Sequence, residues 1–357
     1  MEYSFEDVLT IRNGRNQKAV ENPNGKYPIY GSGGIMGYAD DFICSGDTVI
    51  IGRKGNINNP IYVSEPFWNV DTAFGLESKN DLLNPRYLFY FCKRFDFEKL
   101  NKTVTIPSLT KSDLLKIRLN VPELSIQEEI VSKLVKLEKI VQLRLNELQK
   151  LDELVKARFV ELYNTSFLGE ETTIEAITER VKVGFVGTCE KYYTSNSGIP
   201  MLRTGNITNN GINLSDLKYV TNDFHEKNKK SQILEGDILI ARHGSNGQAN
   251  VYYGPEAQCL NAVVIVPNNE IATSVFLAGL INSPMVKEQI VRTLVGSTQH
   301  VVNTKSIAGL VVRIPNLEVQ KEYEDFVNQI DKSKVAIQKS LAETQLLFDK
   351  LMQDYFG

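Results

Sequence analysis

After Pro122, apolar or long-stemmed side chains recur at Ile130, Leu134, Leu137, Val141, Leu145, Leu148, Leu151, Val155, Phe159 and Leu162, steps of three and four that trace one stripe of a helix. After Pro315 the stripe is Tyr323, Val327, Ile330, Lys334, Ile337, Leu341, Thr344, Phe348, Leu351 and Tyr355, an unbroken 4-3 alternation. Both patterns read as coiled-coil seams, and neither segment contains proline. At 1.5 Å per residue the first would run for roughly 57 Å, longer than one ordinary domain covers. The pattern therefore predicts two long helices paired antiparallel, with Leu134, Leu137, Val141, Leu148, Leu151 and Val155 facing Val327, Ile330, Ile337, Leu341, Phe348 and Leu351.

The segments ahead of these helices switch to short β-branched runs, and they do so twice. Gly46–Arg53 reads GDTVIIGR and Gly236–Arg242 reads GDILIAR, 190 positions apart. Nearly the same shift relates Asp71-Thr72-Ala73 to Asn261-Ala262-Val263, and VPELSIQEEI (Val121–Ile130) to IPNLEVQKEY (Ile314–Tyr323). Each copy predicts a hairpin-like pair, Gly46–Arg53 with Ile61–Ser64 and Gly236–Arg242 with Asn250–Tyr253, then a further strand at Ala73–Leu76 or Ala262–Val266. Helices are predicted at Arg86–Arg94 and Ser274–Ile281, the first entered through Asn84-Pro85 and the second closed by Asn282-Ser283-Pro284. A repeat this long is a duplicated domain, since solenoid units run only ~20–50 residues. The predicted fold is α+β with pseudo-twofold organisation: a β-rich globule at 1–122, a long helix at 123–163, a second globule at 164–315 and a second helix at 316–357. The antiparallel pairing would set the globules at opposite ends of a rod. Tyr30-Gly31-Ser32-Gly33-Gly34 and Met201-Leu202-Arg203-Thr204-Gly205-Asn206 read as loops peculiar to one copy each.

Composition supplies two cores of ordinary size, 42% hydrophobic residues in 357. No apolar stretch approaches the ~18–20 residues of a membrane span and the amino terminus lacks a signal-peptide layout, so a cytoplasmic protein is expected. Cys44, Cys92, Cys189 and Cys259 stand far apart, and with only His225, His243 and His300 the chain offers no zinc or disulfide framework. Buried thiols are expected. Gly31–Gly34 lacks both the GxGxxG spacing and a P-loop lysine. Asn84-Pro85-Arg86-Tyr87 lacks the second proline of a base-flipping amino-methyltransferase motif, and no serine–glycine elbow or HExxH occurs. The chain itself is expected to be non-catalytic. Its charge is near balance, 40 basic against 43 acidic side chains, and the excess acidity lies in the two helical segments. Counterion release by this chain alone should be modest.

Side chains able to form paired hydrogen bonds with base edges, arginine with guanine and asparagine or glutamine with adenine, gather in particular loops. Arg53, Lys54 and Asn56 follow the first Gly-Asp strand; Arg242, His243, Ser245, Asn246 and Gln248 follow the second. Arg203, Thr204 and Asn206 form another polar cluster, and Gly31, Ser32 and Gly33 a flexible one. Thr298 and Gln299, with Thr103 and Thr105 near the matching place, could serve bases or phosphates. Each position reads equally well as a solvated turn residue.

YPIYGSGGIMGY (Tyr27–Tyr38), the duplicated Gly-Asp strands, the Thr-Gln of GSTQHVVNTKSI (Gly296–Ile307) and the P-x-L-x-x-Q phrase carrying Gln127 and Gln320 occur in an order that resembles the specificity subunit of type I restriction–modification systems, along essentially the whole chain. The resemblance implies two target-recognition domains, each reading one half of a split sequence in double-stranded DNA, and two helices that space them. It also implies docking of two modification (methyltransferase) subunits and of restriction (endonuclease/translocase) subunits. S-adenosylmethionine, ATP and Mg would then be bound by those partners, and no cofactor by this chain. A coiled-coil adaptor that ignores DNA and an autonomous DNA-modifying enzyme are the alternative readings.

Overall fold

The computed structural model describes residues 1–357 except 80, 104, 168, 196, 209–210, 244–246 and 296–300. The chain forms two compact units, Met1–Asn146 together with Gln338–Gly357, and Glu147–Ile337. In the first unit a four-stranded antiparallel sheet is built from β1 (Leu9–Asn13), β2 (Thr48–Gly52), β3 (Ile61–Val63) and β4 (Ala73–Ser78), in the order β1-β4-β2-β3. Then come α1 (Pro85–Arg94) and the long α2 (Leu124–Thr165). The second unit repeats the plan with β5 (Thr178–Val183), β6 (Ile238–Ala241), β7 (Ala249–Val251) and β8 (Ala262–Pro267), in the order β5-β8-β6-β7, then α3 (Ser274–Asn282) and α4 (Leu317–Phe356). The duplication read from the sequence is thus a duplication of topology.

The Gly-Asp turns work through backbone conformation. Gly46 and Gly236 take φ of +99° and +91°, which glycine alone adopts without strain. The strands that follow are buried along their whole length, TVIIG in β2 and ILIA in β6. Alternate side chains feed different cores. Val49 and Ile51 join the core that includes α1, while Ile50 joins one with Cys44, Val63 and Phe67. Ile238 and Ile240 likewise meet α3, and Leu239 and Ala241 a core containing Leu202, Tyr252 and Cys259. All four cysteines are buried as expected, and burial pushes the Cys44 and Cys259 thiols up to about 12.

One expectation is corrected by strand pairing. Strand Tyr27–Gly31 pairs parallel with Trp68–Asn69, setting Ile29 against Trp68 and Tyr30 against Asn69. Strand Ile199–Leu202 pairs parallel with Ala257–Cys259, setting Met201 against Gln258 and Leu202 against Cys259. In each copy the next link is the same: Val70 N–H donates to Tyr30 O at 3.0 Å, and Leu260 N–H to Leu202 O at 2.7 Å. Tyr27–Gly33 and Ile199–Gly205 are therefore counterparts. They look unrelated because the stretch between the first two sheet strands is about 20 residues longer in the second copy, and because a strand pairing tolerates any side chain that fits its pocket.

Side chains of the two helical stripes meet within each unit. In the first unit Ile130, Val131 and Leu134 near the start of α2 share a core with Phe348 and Met352 near the end of α4, flanked by partly buried Leu137 and Leu351. In the second unit Phe159 and Leu162 near the end of α2 share a core with Tyr323, flanked by Val155 and Val327. The two helices run antiparallel accordingly. Val141, Leu148, Leu151, Ile330 and Leu341 are half-buried and Ile337 is buried. Leu145, by contrast, is 45% exposed. The 4-3 spacing from Val141 lands on Arg144, which is half-buried in its place. Lys334, the polar member of the other stripe, pairs with Asp152 at 2.6 Å and Asp331 at 3.4 Å.

Candidate nucleic-acid interface

In each unit the described members of the predicted polar loops gather at the end of the fully buried sheet strand. In the first unit Arg53 leaves β2, donates its N–H to Thr72 O at 2.7 Å and accepts from Leu109 N–H at 2.9 Å. Its guanidinium lies over the Phe74 ring, 5.7 Å from the centroid, and donates to Asp71 O at 3.5 Å. Gly55 N–H donates to Pro107 O at 2.9 Å and Asn56 Nδ2 to Ser32 O at 3.4 Å. Three loops, 31–34, 53–56 and 105–109, are thereby stitched together. Arg53, Lys54, Asn56, Gly33 and Thr105 are exposed, Ser32 is half-buried and Gly31 is buried. Thr103 is exposed but tied into its own turn, its hydroxyl within donating reach of Asn101 Oδ1 at 2.8 Å and of Ile106 O.

The second unit repeats the stitch with other side chains. Val302 N–H donates to Arg242 O at 3.1 Å, as Leu109 does to Arg53. Among the described residues the half-buried Arg242 donates through Nη1 to Asn261 Oδ1 at 3.0 Å and through Nε to Val302 O at 3.4 Å. Asn261, at φ +55°, lines a shallow cavity with Val186, Gly187, Arg203, Thr204, Gly205 and Leu260. Arg203 donates through Nη2 to Asp216 O at 3.1 Å and Oδ2 at 3.0 Å, while its Nε is buried with no acceptor among the described residues. Asn206 is only 3% exposed, and its amide group bonds Arg203 N–H, Asn213 O and Asp216 O within the loop. As it stands, Asn206 shapes the loop from beneath and faces no solvent. His243 is exposed and Gln248 half-buried; Ser245, Asn246, Thr298 and Gln299 lie outside the described residues.

Asn261, whose side chain holds Arg242, was visible in the sequence only as part of the repeat, its polar character the available signal; Asp71 meets Arg53 through its main-chain carbonyl, which no side-chain pattern records. Among the described residues no group of three or more His, Cys, Asp or Glu side chains could hold a metal ion, and no helix is long and apolar enough to cross a membrane.

The chain is similar to known proteins over nearly all of its length. The family described as Type I restriction modification DNA specificity domain matches residues 1–155 and again 180–345. The specificity subunit of the type I restriction enzyme EcoBI from Escherichia coli is 22% identical over 339 residues, 86% of this chain and 71% of that protein. The MjaVIII specificity subunit from Methanocaldococcus jannaschii is 22% identical over 305 residues, 79% and 71%. Among solved structures, the type I restriction–modification S subunit from M. genitalium superimposes with a TM-score of 0.67 at 14% identity, covering 100% of this chain and 96% of that one, a likeness of fold.

Proposed function

The chain belongs to the type I restriction–modification DNA specificity family, and from that premise we propose that the loop cluster of each unit reads one half of a bipartite DNA target. The observation that supports this reading most directly is the repeated stitch: one backbone frame, Arg53 with Leu109 and Arg242 with Val302, carries different side chains in each copy. A shared frame with divergent loops suits one task on two different sequences. The buried Nε of Arg203, which has no acceptor among the described residues, supports it further, since a buried donor of this kind normally has an acceptor supplied to it. The proposal extends to the long helices. Leu143, Leu154, Val335, Leu346 and Leu347 stand 47–72% exposed on them, with Leu154 and Leu347 at equivalent repeat positions, and we assign these apolar faces to the modification subunits. Those partners would bind S-adenosylmethionine and, with the restriction subunits, ATP and Mg.

Methylome mapping with single variants tests the two-reader architecture. Arg53→Ala should relax only the half-site read by the first domain, and Arg242→Ala or Arg203→Ala only the other, with a wrong base pair normally costing ~1–3 kcal/mol at its position. If the arginines clamp phosphates, binding to every sequence weakens together and the salt slope falls by about one unit. Relaxation of both half-sites by one substitution would contradict the proposal.

A further inference from the structure

The Tyr27–Gly31 strand and the Gly34–Ala39 strand form a hairpin with a glycine-rich tip; Trp68–Asn69 flanks the first strand, and Gly34–Ala39 is left as the outer edge of a three-stranded sheet. Tyr30 pairs with Ile35 and Ile29 with Gly37, so Met36 is the extra residue of a β-bulge. A bulge re-aims a side chain out of the strand's alternation. Two successive apolar side chains are displayed as a result: Ile35 is 56% and Met36 63% exposed. Gly31 makes room for this, since a Cβ there would stand 2.6 Å from Met36 Sδ. The thioether thus lies across bare backbone. Around Gly33 and Gly34 there is open space, and Gly34 takes φ +121°. Ser32, at the same tip, accepts from Asn56 beside Arg53. The apolar pair is therefore continuous with the loop cluster assigned to DNA reading.

Resting on that reading, we propose that Ile35 and Met36 contact thymine 5-methyl groups in the major groove of the half-site read by the first domain. The hairpin edge formed by Gly34–Ala39 is too broad for the minor groove at about 6 Å and suits the major groove, about 12 Å wide, where thymine alone offers an apolar group. A methionine draped along its own strand presents a flat surface, which suits a methyl contact better than insertion between stacked bases. By the same correspondence Ile35 and Met36 fall on Ile207, which is only 4% exposed, and on Thr208, which is exposed but polar. The effect is confined to one half-site.

The test uses the chain in complex with its modification subunit and duplexes in which thymines of the methylation target are replaced one at a time by deoxyuridine. Removing a contacted methyl should weaken binding about fourfold at one or two positions of the first half-site and nowhere in the second. The double variant Ile35→Ser, Met36→Ser should bind thymine and uracil duplexes alike. Wild-type binding that is indifferent to every replacement overturns the inference without recourse to any variant, as does a first half-site lacking thymine in both strands. So does a uracil penalty that persists in the double variant, or a brightening of 2-aminopurine beside the site, which would report unstacking. A complex that binds its target no better than scrambled duplex removes the half-site reading, and this inference with it.

Discussion

Gln127 and Gln320 each use one side-chain amide to close three backbone gaps. Gln127 donates to Leu82 O at 2.9 Å and Pro122 O at 2.7 Å and accepts from Asn84 N–H at 2.8 Å. Gln320 does the same with Ile271 O, Pro315 O and Thr273 N–H, at 3.0, 2.9 and 2.9 Å. Both glutamines are fully buried. Asn84 and Thr273 are the N-caps of α1 and α3, so each glutamine ties the first turn of a long helix to the start of a short one. Leucine in place of either would remove all three bonds from backbone groups that are part-buried or buried, a loss of about 2–4 kcal/mol. Urea denaturation should show that loss for Gln127→Leu and for Gln320→Leu, and a change within about 0.5 kcal/mol for the exposed Gln149→Leu. Equal stability of all three would refute the clamp. The sequence marked these glutamines as a repeated phrase but not their task, because the tied carbonyls and N–H groups sit 43–49 residues upstream for two of the three bonds.

At the scale of elements, the seam of α2 was legible as a stripe but its register was one residue uncertain around Leu145. Apolar character suggested Leu145; helical spacing selects Arg144. The difference is measurable. Leu134 is wholly buried in the core it shares with Phe348 and Met352, so Leu134→Asp places an uncompensated carboxylate there, at a cost of several kcal/mol. Leu145→Asp, at a position 45% exposed, should alter stability by less than about 0.5 kcal/mol. Thermal unfolding of the two variants and their co-purification with a modification subunit separate the registers: Leu134→Asp should fail both assays and Leu145→Asp pass the first. A Leu145→Asp chain as damaged as Leu134→Asp would place Leu145 in the seam after all. The recognition strands show the opposite case. YPIYGSG and IPMLRTG share little beyond proline and glycine, yet hold the same place beside Trp68–Asn69 and Ala257–Cys259.

For the whole molecule, the repeat carries a prediction about spacing. If the long helices set the distance between half-sites, four residues inserted after Gln149 lengthen α2 by roughly 6 Å. That is nearly two base pairs of B-DNA at 3.4 Å each. Methylome mapping should then find both half-sites unchanged and the gap between them altered; an unaltered gap in an active complex shows that the helix does not set it. The balanced charge of the globules, 15 basic and 14 acidic side chains in residues 1–122 and 13 of each in 164–315, argues that such measurements belong to the assembled complex.

What the sequence by itself determined is whatever depends on periodicity and local backbone chemistry. The two helical stripes, the duplicated Gly-Asp turns with their positive φ, the buried strands and the capped short helices all follow from side chains a few positions apart, whose geometry the backbone dictates. Only the tertiary structure decided which distant residues meet. It made Ser32 a neighbour of Asn56, joined Arg242 to Asn261, sank Asn206 beneath its loop, and left Ile35 and Met36 in the open on a bulged hairpin. Those outcomes rest on strand pairings across tens of residues, where register is set by the packing of the whole sheet and no local pattern records it.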